Sequence, residues 1–176
     1  MNLANKITIF RILLTPLFIS FVMYSKWTAA LLVFIVAAIS DGVDGYIARR
    51  WSQRTEIGKV LDPIADKLLI LSAFICLSVV DQLPTLVKPP SYVAIVIISR
   101  DAIIVLGVVL GYLIKGTMSV KPTIISKVTT FLQMATVASI LIGLAASPIL
   151  WNITVLFTLV SGFDYVIKGS KFFNEK

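Results

Sequence analysis

The chain has 176 residues, 58% of them hydrophobic and only 14% charged, with a net charge of +7 and a mean hydropathy of +0.96. A water-soluble domain of this length carries roughly 45–50% apolar and about 25% charged residues, so this composition excludes a single soluble core and calls for lipid as the main solvent. Histidine is absent and Cys76 is the only cysteine, which removes histidine bases, histidine metal ligands, phosphohistidine chemistry and intramolecular disulfides.

A spanning helix takes about 20 mostly apolar residues. Segments 5–24, 27–48, 58–80, 91–114, 124–145 and 149–168 meet that length in turn. They predict an all-α fold: a polytopic membrane bundle of six transmembrane helices forming one domain over residues 1–176. In the first segment Lys6 and Arg11 precede an apolar run, as in a signal peptide. Pro16 interrupts that run, no clean cleavage site follows, and further apolar segments come after it, so it reads as a retained helix. Cys76 lies inside the third segment, in LSAFICLSVV, an apolar setting suited to an inert thiol. Pro84, Pro89, Pro90, Pro122 and Pro148 fall in the breaks, where a missing N–H costs least.

Lysine and arginine set the orientation. Lys6, Arg11, the group Arg49, Arg50, Arg54 and Lys59, the group Lys115, Lys121 and Lys127, and Lys168, Lys171 and Lys176 fall at the two termini and the second and fourth breaks. The alternate breaks hold only Lys26 and Lys88. Both termini and those two connections are therefore expected in the cytoplasm, in a multi-pass protein of the cell membrane. Because the basic residues follow the membrane surface without a base-reading pattern, no nucleic-acid partner is expected.

The chemistry concentrates between Ser40 and Lys67, in SDGVDGYIARRWSQRTEIGKVLDPIADK. Asp41 and Asp44, three apart, share one face of the second helix; Asp62 and Asp66, four apart, share one face of the third. The two helices are joined by a short turn, and a rise of 1.5 Å per residue puts all four carboxylates roughly 6–12 Å from it. They can converge. One carboxylate at such a depth costs about 2.5–3.5 kcal/mol on insertion scales, so four facing each other share protons, pair with Arg49, Lys59 and Lys67, or bind cations. Oxygen ligands without histidine favour Mg²⁺, Mn²⁺ or Ca²⁺ over zinc. Four carboxylates suit two ions, which could also hold both bridging oxygens of a phosphoryl displacement. Gly45, Ala48 and Gly58 leave room beside this face for a nucleotide, and Arg49 can reach its phosphates. Gly42 and Tyr46 lie off the face.

The pattern Asp41-x-x-Asp44-Gly45-x-x-Ala48-Arg49, then eight residues, Gly58-x-x-x-Asp62-x-x-x-Asp66 resembles the full signature of the CDP-alcohol phosphatidyltransferase family. The opening MNLANKITIFRILLTP and the six-helix count are similar to that family as well. The resemblance implies transfer of a phosphatidyl group from CDP-diacylglycerol to an alcohol, with release of CMP. Asp41, Asp44, Asp62 and Asp66 would hold two divalent cations, Mg²⁺ or Mn²⁺. Asp41, Asp44, Gly45, Ala48, Arg49, Gly58 and Asp62 would surround the CDP moiety, and Asp66 would deprotonate the acceptor hydroxyl. A carboxylate among carboxylates has a raised proton affinity, which suits that role. Members of the family often form homodimers.

The acceptor divides the resemblance. NLANKITIFR and SGFDYVIKG are similar to members that use glycerol-3-phosphate, whereas Ser99-Arg100-Asp101 and the run from Lys121 to Thr130 are similar to members that use phosphatidylglycerol. Glycerol-3-phosphate is the first expectation and phosphatidylglycerol the alternative, with Arg100, Lys127 and Lys121 as the acceptor-binding candidates. Histidine-dependent, phospholipase-like cardiolipin synthases are excluded by composition. A divalent-cation transporter would bring pseudo-repeats and broken helices, and a membrane prenyltransferase a second acidic motif. The sequence has neither.

Overall fold

The computed structural model describes the backbone of residues 3–50, 56–85, 87–115 and 123–174, and the side chains of residues 9–40, 67–85, 87–107, 109, 113 and 123–170. The described residues form α-helices and no strands: α1 Leu3–Met23, α2 Trp27–Arg50, α3 Glu56–Val79, α4 Ser91–Lys115, α5 Ile124–Ile142 and α6 Ser147–Asn174. The ends fall close to those read from the apolar runs, except in α6. That helix takes in Pro148 near its start and runs on to Asn174. The first turn of a helix has N–H groups with no intrahelical acceptor, so proline is tolerated there and need not mark a break.

Two helices stop by the same device at different conformational cost. After α1, Ser25 takes φ 55°, and the N–H groups of Ser25 and Lys26 bond back to Val22 and Phe21 at 3.0 and 2.8 Å. After α5, Gly143 takes φ 79°, with its own and the Leu144 N–H on Ile140 and Ser139 at 3.1 and 3.0 Å. Both are left-handed caps that satisfy orphaned carbonyls, and only glycine adopts that conformation without steric penalty. Thr123 caps the start of α5, accepting from the Ser126 N–H at 3.2 Å. Between α3 and α4, Lys88 bonds Asp81 at 2.9 Å, a bond that holds this exposed carboxyl below the ordinary carboxylate range.

The helix contacts fit two rows of three. α1, α3 and α4 lie in one row and α2, α5 and α6 in the other, with α1 on α2, α3 on α5 and α4 on α6 across the rows. Residues Arg100 and Ile104 of α4 meet Ser161 and Tyr165 of α6, so these two run parallel. Thr129 and Thr136 of α5 meet Phe157 and Thr154 of α6, so those run antiparallel. The end of the bundle carrying the α2–α3 connection is called the near end below, and the opposite one the far end.

The far-end interior is apolar. Phe18, Val22, Ala30, Phe34, Phe74, Leu77, Val93, Ile97, Ile140 and Trp151 are buried there, with the Phe18 and Phe34 rings 5.7 Å apart and tilted at 47°. Buried Ser139 and Ser147 bond carbonyls of their own turns. The outside is apolar too: Leu13, Leu32, Leu106, Leu113, Ile124, Phe131, Ile149 and Phe163 are all at least 60% exposed. Spans 124–142 and 147–170 are each long and apolar enough to cross a membrane, each with a window of mean hydropathy 1.5.

Candidate active site

The aspartate motif occupies the last turns of α2 and the first turns of α3. Asp41, Asp44, Gly45, Ala48 and Arg49 belong to α2, and Gly58, Asp62 and Asp66 to α3. The side chains of all of these, and Lys121 altogether, lie outside the described residues. What the backbone supplies is register: pairs spaced three and four apart on two consecutive helices, each pair near the single connection between them. As a donor set, four carboxylates in a chain without histidine fit hard divalent cations.

The described side chains build the wall beside that motif, starting at the residue after Asp66. Lys67 reaches across to α4, where its Nζ is 3.0 Å from Asp101 Oδ1. The same oxygen accepts a bond of 2.6 Å from Arg100 Nη1. Arg100 Nη2 donates to Ser126 Oγ of α5 at 2.7 Å and to Ser161 Oγ of α6 at 2.6 Å. One network therefore joins α3, α4, α5 and α6 around two residues that are almost wholly buried, Arg100 at 3% and Asp101 at 0% exposure. Gly162 of α6 faces this network, and a Cβ there would make ordinary contact with Arg100 Cγ at 3.4 Å. One turn further, Tyr165 Oη donates to the Ile104 carbonyl at 3.1 Å and lies against Gly107.

The network is incomplete among the described residues. Arg100 Nε and Asp101 Oδ2 are buried without a hydrogen-bond partner. Deeper along α5, Gln133 is fully buried with neither amide atom bonded. Each such group costs about 1–3 kcal/mol when unsatisfied. By contrast the α5–α6 seam is closed: Thr129 bonds the Ile125 and Phe157 carbonyls, and Thr136 and Thr154 bond each other at 2.8 Å.

The acceptor candidates separate. Arg100 is drawn into the interior and held by three bonds, while Lys127 stands exposed on the next residue after Ser126. Arg11, counted from the sequence with the terminal surface charges, is instead 2% exposed inside the bundle. Arg11 and Asp41 stand at nearly the same distance from the α1–α2 connection. Lys67 was legible as a charge inside a helix; its partner on α4 was not. Ser126 and Ser161 gave no signal, since a lone serine in an apolar helix usually bonds its own backbone.

The sequence pattern described as CDP-alcohol phosphatidyltransferase matches residues 1–160 of the chain. A Bacillus subtilis protein named CDP-diacylglycerol–glycerol-3-phosphate 3-phosphatidyltransferase is 36% identical over 96% of this chain and 95% of its own. A Rickettsia bellii protein of the same name is 34% identical over 98% and 97%. A human protein named cardiolipin synthase (CMP-forming) is 34% identical over 97% of this chain, which spans 62% of that longer protein.

Proposed function

Because the chain belongs to the CDP-alcohol phosphatidyltransferase family, we propose that it moves a phosphatidyl group from CDP-diacylglycerol to a glycerol-type acceptor and releases CMP. Glycerol-3-phosphate is the first acceptor, giving phosphatidylglycerol phosphate for phospholipid synthesis, as the names of the Bacillus and Rickettsia relatives support. The observation that carries the reading is the complete aspartate signature, from Asp41 to Asp66, on two consecutive helices flanking one short connection.

In this reading Asp41, Asp44 and Asp62, with help from Asp66, hold two divalent cations, Mg²⁺ or Mn²⁺, whose chemistry is to neutralise the diphosphate and its leaving group. Arg49 binds the same diphosphate, and Gly45, Ala48 and Gly58 leave space for cytidine and ribose. Asp66 takes the proton of the acceptor hydroxyl. The freed oxygen bonds to the phosphatidyl phosphorus, the P–O bond to CMP breaks, and CMP departs with the electron pair. The protein is a single domain of six membrane-spanning helices, with both termini, the site and the α4–α5 connection in the cytoplasm. The apolar exterior and the lysine and arginine distribution support that topology. A homodimer is the assembly expected of the family.

One observation favours a second acceptor, phosphatidylglycerol, as the name of the human relative suggests for that protein. Arg100 is engaged by Asp101, Ser126 and Ser161, so of the two described candidates it is the one not poised as a free cation for a phosphomonoester dianion, while Lys127 is exposed. A phosphodiester carries less charge and asks less of them.

The test is purified full-length protein in lipid nanodiscs with Mg²⁺ or Mn²⁺ and CDP-diacylglycerol, offered glycerol-3-phosphate, phosphatidylglycerol, inositol phosphate or serine separately. CMP release with a glycerol-type acceptor, abolished by chelation and restored by metal, is the expected result. No CMP release with any acceptor overturns the reading.

A further inference from the structure

We infer that Arg11 is a positioning residue of the aspartate site: a fixed, buried cation that balances the signature carboxylates and so sets how tightly they hold their divalent cations. The inference rests on the metal-holding reading of those aspartates and adds to it a residue of α1, outside the signature.

Register brings Arg11 to that level. The buried residues of α1, which are Arg11, Leu14, Thr15, Phe18 and Val22, form one stripe along the helix. Among the described residues α1 packs on α2 and α3 alone, the two helices that carry the signature. The Phe18 and Phe34 rings, 5.7 Å apart, fix the level of α1 against α2. Arg11 comes seven residues before Phe18 and Asp41 seven after Phe34, so in antiparallel helices the two positions stand level. On α2 the buried stripe is Ala30, Phe34 and Ala37, and Asp41 is its next position, four residues on.

A charge at that level has few places to go. Arg11 is only 2% exposed, and arginine is almost never buried to that degree without a negative partner. The buried Asp101 is taken by Lys67 and Arg100, on a helix that α1 does not touch among the described residues. The acidic residues of α2 and α3 are Asp41, Asp44, Glu56, Asp62 and Asp66. Glu56 opens α3 beside the connection, about 15 Å along the helix from Asp66, which leaves the four signature aspartates. Before metal binds, those carboxylates repel one another, and a guanidinium beside them offsets one charge and holds their spacing. An entering divalent cation must displace that interaction and also meets a like charge. Both effects stabilise the empty site relative to the occupied one, so Arg11 weakens metal binding by the same factor that metal weakens the hold on Arg11.

The test uses full-length wild type, Arg11→Met and Arg11→Lys in lipid nanodiscs. Bound Mn²⁺ is titrated by electron paramagnetic resonance without substrate, and thermal midpoints are recorded in chelator and in saturating Mn²⁺. Arg11→Met, which keeps the length and loses the charge, should bind Mn²⁺ about 5- to 50-fold more tightly than wild type. Its midpoint should fall in chelator and return towards wild type with Mn²⁺, because the ions supply the missing charge. Arg11→Lys keeps the charge and should stay within about threefold of the wild-type affinity. The Mn²⁺ concentration for half-maximal CMP release should fall in parallel for Arg11→Met. Measured on protein purified in Mn²⁺ and diluted into Mn²⁺ buffers, it reports even where the metal-free variant does not fold. An unchanged affinity, with a midpoint lowered equally in chelator and in Mn²⁺, makes Arg11 a packing residue and overturns the inference. An unchanged affinity with a raised KM for CDP-diacylglycerol makes it a donor ligand and overturns it too. A wild type that binds no Mn²⁺ overturns the metal-holding reading beneath it as well.

Discussion

At the far end of the bundle, Phe18, Val22, Phe34, Phe74 and Ile140 fill the interior; at the near end, Arg11, Lys67, Arg100 and Asp101 do. Both ends are surrounded by the same apolar exterior, so the surrounding solvent does not account for the difference. The far-end interior is held mainly by apolar packing, with a Tyr92–Asn152 hydrogen bond at its surface, and an apolar side chain there can be replaced by another of similar volume at modest cost. The near end is held by charges that have no value as packing and cost several kcal/mol each to bury unpaired. A fold tolerates such an arrangement where the charges are used, and the aspartate signature lies at that same end. On the proposed reading, the contrast teaches that the scaffold and the chemistry are separated along the axes of the same helices.

The separation predicts different outcomes for substitutions at the two ends. The largest effect is expected for Asp66→Asn, which should cut CMP release by about 10²- to 10⁴-fold with a nearly unchanged thermal midpoint. A fall in midpoint that tracks the loss of rate would place Asp66 in the scaffold instead. Arg100→Met should lower stability by about 4 kcal/mol, because it leaves Asp101 buried with one partner fewer; reversible unfolding in mixed micelles measures it. Phe34→Ala, at the far end, should cost about 3 kcal/mol through the cavity it opens yet leave kcat and both KM values of the folded fraction unchanged. Altered constants there would break the division of labour.

Gly107→Ala tests the joint between α4 and α6. Its new Cβ would stand 2.6 Å from Tyr165 Oη, so Tyr165 must give up its bond to Ile104 and stability should fall by about 1–2 kcal/mol. The smallest effect has the opposite sign. Ser25→Gly relieves a left-handed serine and should raise stability by up to about 1 kcal/mol, offset in part by the freer unfolded chain. Unaltered kinetics in that variant would confirm that the far end communicates little with the site.

Much of the fold was legible in the sequence because both its signals are local. Runs of about 20 apolar residues and the proline-rich breaks placed five helices to within a few residues, and only the extent of α6 was missed. The aspartate signature was equally plain, since spacing of three and four residues is a property of one helix. The wall beside it was not. Arg11 looked like a surface charge because it is near the chain start, yet the rotation of α1 against α2 and α3 turns it inward. Lys127 was grouped with Arg100 as an acceptor-binding candidate, but it stands exposed while the neighbouring Ser126 turns inward to Arg100. Those outcomes depend on how helices distant in sequence rotate against each other, which no local spacing records. The Arg100–Asp101 pair lay between the two cases: its members are adjacent, while Lys67 and Ser161 come from helices far from them in sequence.

The same network bears on how the chain is assembled. During synthesis α4 emerges with Arg100 and Asp101 before α5 and α6 exist, so Ser126 and Ser161 are not yet there to receive the guanidinium. Asp101 already has Arg100 beside it, and Lys67, laid down earlier on α3, to meet. In the proposed membrane topology an isolated α4 would carry this pair into lipid at a cost of several kcal/mol, which would favour its staying beside α3 until α5 and α6 arrive. The α5–α6 hairpin has its threonine bonds closed internally. A chain truncated before Ser161 would therefore leave the Arg100 guanidinium one partner short even though every signature aspartate had already been synthesised.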